Sequence, residues 1–148
     1  MKQNLILVVI LLATLSMVNA ILHQLHKRAT TFGPCLTGSP NAISVSIQPD
    51  PPVAGGTEIF TVSGTLKTGS ITTGSKLVVF TLDSNGNILG DTAIFDICGT
   101  PGMTCPTNTF SIITKVQFGT VPPTYSIVVQ ILDPSNSVLA CSMGTITG

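Results

Sequence analysis

The chain has 148 residues, with six Lys+Arg against six Asp+Glu, so it is formally neutral. That neutrality is unevenly built: Lys2, Lys27 and Arg28 lie in the first 28 residues, whereas all six acids lie beyond them. Past residue 28 only Lys67, Lys76 and Lys115 remain as cations, which cannot neutralise a run of phosphates, so nucleic acid is excluded as a partner.

Residues 1–20 read as a secretory signal peptide. Lys2 gives a positive start, residues 5–15 an apolar run too short to span a bilayer, and Val18-Asn19-Ala20 a small-residue cleavage site. Lys27-Arg28 is a dibasic pair that would end a pro-segment at 21–28 and leave 29–148 as the mature domain. Three lysines against six acids give that domain a net charge of −3. Both histidines, His23 and His26, leave with the pro-segment. Ser-His-Asp and Cys-His catalysis then lack their imidazole, and a zinc site would need all four thiolates. Asp91 and Asp96 are five apart on one predicted strand, so they face opposite ways and make a poor catalytic pair. The reading is of a protein that is not an enzyme and carries no cofactor or metal.

Beyond residue 28 the pattern is one of short strands punctuated by Gly, Pro and Asn. Residues 43–47 alternate Ile43, Val45 and Ile47 with serines, and the Pro- and Gly-rich 48–56 must be a loop. Residues 58–66 put Phe60, Val62 and Leu66 on one face. Residues 76–82 are apolar on both faces. Asn85-Gly86-Asn87 is a hairpin signal leading into 88–97. Residues 110–118 alternate Phe110, Ile112, Val116 and Phe118 with polar positions, and 125–132 alternate Tyr125, Ile127, Val129 and Ile131. Asp133-Pro134-Ser135-Asn136 is a turn before the last strand, 138–143. About seven strands in ~110 residues predict an all-β, immunoglobulin-like sandwich of two antiparallel sheets.

The four cysteines are Cys35, Cys98, Cys105 and Cys141. In a secreted chain they read as two disulfides, for which three pairings exist. Joining Cys98 to Cys105 closes a small turn-rich loop, and Cys35 with Cys141 would then tie the two ends of the domain. No N-x-[ST] sequon is present.

Several segments, taken in order, resemble a known family. Cys35 stands before the first strand, which runs into Ile47-Gln48-Pro49-Asp50-Pro51-Pro52-Val53-Ala54-Gly55. Asp96-Ile97-Cys98 is followed by Cys105-Pro106, and Val121-Pro122-Pro123-Thr124-Tyr125-Ser126-Ile127-Val128-Val129 leads through Asp133 to Cys141. Over residues 32–143 the chain resembles the ML domain, the MD-2-related lipid-recognition family. Within it the chain looks most like the fungal phosphatidylglycerol/phosphatidylinositol transfer proteins and the Niemann-Pick type C2-like sterol carriers. The resemblance implies a sandwich with a lipid cavity between its sheets, and the pairings Cys35–Cys141 and Cys98–Cys105. It also implies a secreted protein, or one in the vacuolar or endolysosomal lumen, acting in lipid or sterol transport.

On that reading the partners are a phospholipid or sterol ligand and, transiently, a membrane, and the protein is a monomer. The cavity is expected to be lined by Phe60, Val62, Phe80, Leu82, Ile94, Ile112, Val116, Phe118, Tyr125, Ile127 and Val129, taken as inward-facing strand positions, with Met103 at its lip. The competing expectation is a secreted sandwich whose core is filled by its own side chains and whose surface binds another protein.

Overall fold

The computed structural model describes residues 29–36 and 41–147. The expected signal peptide and pro-segment lie outside the described residues. Eight strands follow in chain order: β1 (Phe32–Pro34), β2 (Ser44–Gln48), β3 (Thr57–Thr65), β4 (Lys76–Leu82), β5 (Ile88–Asp96), β6 (Thr109–Gln117), β7 (Thr124–Leu132) and β8 (Val138–Thr147). They form a five-stranded sheet in the order β1-β8-β7-β4-β5 and a three-stranded sheet in the order β2-β3-β6, with every pairing antiparallel. The count exceeds the sequence expectation by β1, a three-residue strand of Phe, Gly and Pro too short to show alternation.

The period of two decides which residues meet between the sheets. From the small sheet come Phe60 and Val62 of β3 and Phe110, Ile112 and Val116 of β6; from the large sheet come Leu77 and Val79 of β4, Tyr125, Ile127, Val129 and Ile131 of β7, and Ala140 and Ile146 of β8. All of them are buried in one continuous core. Gly144 belongs to the same inward row, opposite Phe32. A Cβ there would lie 3.1 Å from the Phe32 ring and 3.0 Å from the Thr30 methyl group, so only glycine lets β1 lie close against β8.

The two hairpins of the large sheet use the same device. Asp83 Oδ1 accepts the Asn85 and Asn87 amides at 2.8 Å, and Asp133 Oδ1 accepts those of Ser135 and Ser137 at the same distance. Gly86 and Asn136, both at positive φ, complete the turns, a conformation that glycine and asparagine tolerate. The hydrogen bonds from Asn87 and from Ser135 hold the two carboxyls below the ordinary aspartate range.

The disulfides join Cys35 to Cys141 and Cys98 to Cys105, which matches the pairing the resemblance implied. The sandwich is fastened unevenly. At the end where β4, β6 and β8 begin, buried Asn41 donates to the Thr68 and Leu139 carbonyls and accepts the Lys67 amide. An isolated bridge pairs Ile71 with Thr107, and the Ile97 amide donates to Ser75 O at 3.2 Å. The small disulfide loop covers the same end as it carries the chain from β5 to β6. Along the β1–β2 side, the Thr30 amide and hydroxyl donate to the Asp50 carboxylate at 2.9 and 2.7 Å. On the opposite side, β5 and β6 are edge strands of different sheets and no ladder joins them.

Candidate functional site

Eight of the twelve residues expected to line a cavity converge between the sheets: Phe60, Val62, Ile112, Val116, Phe118, Tyr125, Ile127 and Val129. Phe60 and Phe118 meet edge to face, ring centroids 5.9 Å apart, in the favoured T-shaped arrangement. Phe60, Val62, Ile127 and Val129 are 0% exposed. They are closed off from solvent, and a guest chain must displace core contacts to enter here. Phe118→Ala should accordingly cost about 3–5 kcal/mol of stability in a denaturant titration. A cost below about 1 kcal/mol would show that the ring faces empty or exchangeable space.

The other four expected residues lie elsewhere. Phe80 and Leu82 point to the outer face of the five-stranded sheet, because Leu77, Val79 and Thr81 take the inward row of β4. With both faces apolar, the alternation of 76–82 does not reveal which row is inside. Ile94 is 60% exposed, since Ala93 and Phe95 of β5 pack on the core and Ile94 pairs outward with Val78. Met103 is half-buried against the core at the fastened end, rather than standing free as a lip.

These outward side chains belong to a second apolar surface. Phe80, Leu82, Val128 and Met143 border an open depression of about 200 Å³ on the outside of the large sheet, with the Cys35–Cys141 disulfide at its edge. Leu36, Ile88 and Ile94 are exposed large apolar side chains of the same sheet or its margin.

One polar residue inside the sandwich was missed. Glu58, the second residue of β3, lies in the inward row of Phe60 and Val62 and is fully buried. Its Oε1 accepts the Val53 amide at 2.8 Å, tying down the loop before β3. Tyr125, at the start of β7, has its phenol pushed up by burial and then by the charge of Glu58. The signal was available in the sequence: Glu58 shares the parity of Phe60 and Val62, but as the first residue of the expected strand 58–66 it reads like the edge of a loop.

The arrangement offers an apolar interior with a carboxyl group at one end, between sheets unjoined along β5 and β6. No family model matches this chain, and no curated protein matches it. Solved structures do match its fold. One is chicken MD-1, crystallised in complex with lipid IVa. It is 14% identical to this chain, and the match covers 78% of this chain and 87% of MD-1 with a TM-score of 0.51. The chain thus shares the β-sandwich fold of MD-1.

Proposed function

We propose that the protein is a secreted or lumenal lipid-binding protein that holds the apolar part of a phospholipid or sterol between its sheets and carries it between membranes. The observation that carries this reading is the β5–β6 side. There, two sheets of an MD-1-like sandwich face one another with apolar rows and no ladder between them, and Leu89, Ala93 and Phe95 of β5 cover the core only partly. Parting the sheets on this side exposes apolar surface that a lipid chain re-covers. Each Å² of ligand taken out of water contributes ~25 cal/mol, so a few hundred Å² supply several kcal/mol before the costs of immobilisation. No bond is made or broken. Two disulfides that leave no cysteine free accord with an oxidising compartment.

Native mass spectrometry of the protein secreted from a eukaryotic host, followed by solvent extraction, tests the reading. The expected result is an adduct that disappears on extraction and is recovered as lipid. A mass without adduct that stays unchanged when phospholipids and sterols are added would overturn it. A second reading, a protein-binding sandwich with a filled core, is favoured by the closed centre around Phe60 and Val129 and by the apolar outer face. Recovery of lipid would decide against it.

A further inference from the structure

Glu58 has a second oxygen. Oε2 is buried and has no hydrogen-bond partner among the described residues, while Oε1 is engaged by Val53. A polar atom buried without a partner is destabilising, and natural cores rarely leave one so. The loop-fastening role of Glu58 needs one oxygen only. The other lies inside the sandwich, where β3 pairs with the end of β6 (Glu58 opposite Val116), next to the side on which the sheets are unjoined. Tyr125 of the facing sheet has its phenol pushed up first by burial and then by Glu58.

We propose that Glu58 is the polar end of the ligand site and selects lipids whose head end donates a hydrogen bond, an alcohol or an amine rather than a carboxylate. The proposal rests on the reading that a lipid enters between the sheets. A carboxyl oxygen without a partner is an acceptor, so Oε2 is satisfied by an O–H or N–H and gains nothing from the oxygens of a carboxylate head. In a dry interior this discrimination is strong, because a wrong end group leaves two polar atoms unpaired instead of none. The apolar chain then runs from Glu58 along Phe60 and Val62, its own neighbours in the inward row of β3.

The test uses 1-tetradecanol, tetradecylamine and myristic acid, equal in chain length and different only at the head, titrated into the secreted, lipid-stripped protein. The alcohol and the amine should bind about tenfold or more tighter than the acid. Glu58→Gln keeps an oxygen for the Val53 amide and turns Oε2 into a donor. It should gain affinity for the acid and lose it for the amine, about tenfold each. Equal binding of all three probes by the unmodified protein, or a ranking unmoved by Glu58→Gln, would overturn the selection and leave Oε2 to a buried water, with lipid binding itself intact. Binding of none of them would overturn the lipid reading and this proposal with it. The ranking in the unmodified protein decides even if the variant fails to fold.

Discussion

Val129→Asp yields no folded protein. Val129 is 0% exposed and sits at the middle of β7, between Val79 of β4 and Ser142 of β8, with its side chain in the apolar interior. A carboxylate placed there has no cation to pair with, since the three lysines beyond residue 28 are all on strands or loops whose side chains reach the surface. The effective penalty for burying one unpaired charge is several kcal/mol, comparable with the whole stability of a typical domain at about 5–15 kcal/mol. Secreted yield and far-ultraviolet circular dichroism read the outcome. Ser126→Asp, on the other face of the same strand, is the control and should change stability by no more than about 1 kcal/mol. If Val129→Asp melts like the parent protein, residue 129 faces water and the register of β7 is wrong.

Replacing Cys35 and Cys141 together by serine is the second large effect. The two are 106 residues apart, and a loop of about 100 residues is worth about 4.7 kcal/mol in the chain-entropy model. At roughly 3–6 °C per kcal/mol for a domain of this size, the melting temperature should fall by about 15–25 °C. The native state loses something as well: β1 has three residues and is held to the large sheet only through β8, so its fraying uncovers the Phe32–Gly144 contact. Opening Cys98–Cys105, only seven residues apart, should cost less, about 2.5 kcal/mol on the same model. Calorimetry of the two double variants gives the order directly. A larger loss from the short loop would mean that local packing of the disulfide end, with Met103 and Ile97, outweighs the entropy of the long loop.

The parts of the fold that alternation can express were legible in the sequence, and the parts that depend on tertiary choice were not. β3, β6 and β7 each carry one apolar row, so Phe60, Val62, Ile112, Val116, Ile127 and Val129 were placed inside by parity alone. β4 lies between β5 and β7 and is apolar on both faces, so its sequence does not say whether Val79 or Phe80 is inside; the answer depends on which row meets the small sheet. β5 misleads for a similar reason. Its apolar residues fall on both parities, and the irregular pairing between Val79 and Thr81 of β4 interrupts the ladder. Only Ile97, buried just after the strand, fixes Ala93 and Phe95 as the inner row. Glu58 escaped because a charged residue at a strand boundary is ordinarily solvated, and its burial requires the 49–56 loop to fold over it through Val53.

The uneven fastening has a mechanical consequence. Asn41 clasps the chain after β3 and the start of β8 at one end, and Thr30 and Asp50 clasp the β1–β2 side. The sheets are therefore bound like the pages of a book along that side and that end. The corner with the fewest hydrogen-bonded clasps is diagonally opposite, where β5 begins and β6 ends, although residues 118–123 carry the chain from β6 to β7 there. Any parting of the sheets is a rotation about the bound margin, so it is wider along β5 and β6 and falls towards zero at Asn41. The lever arm is long there, and a rotation of a few degrees moves the free edges furthest while leaving the stitched end in register.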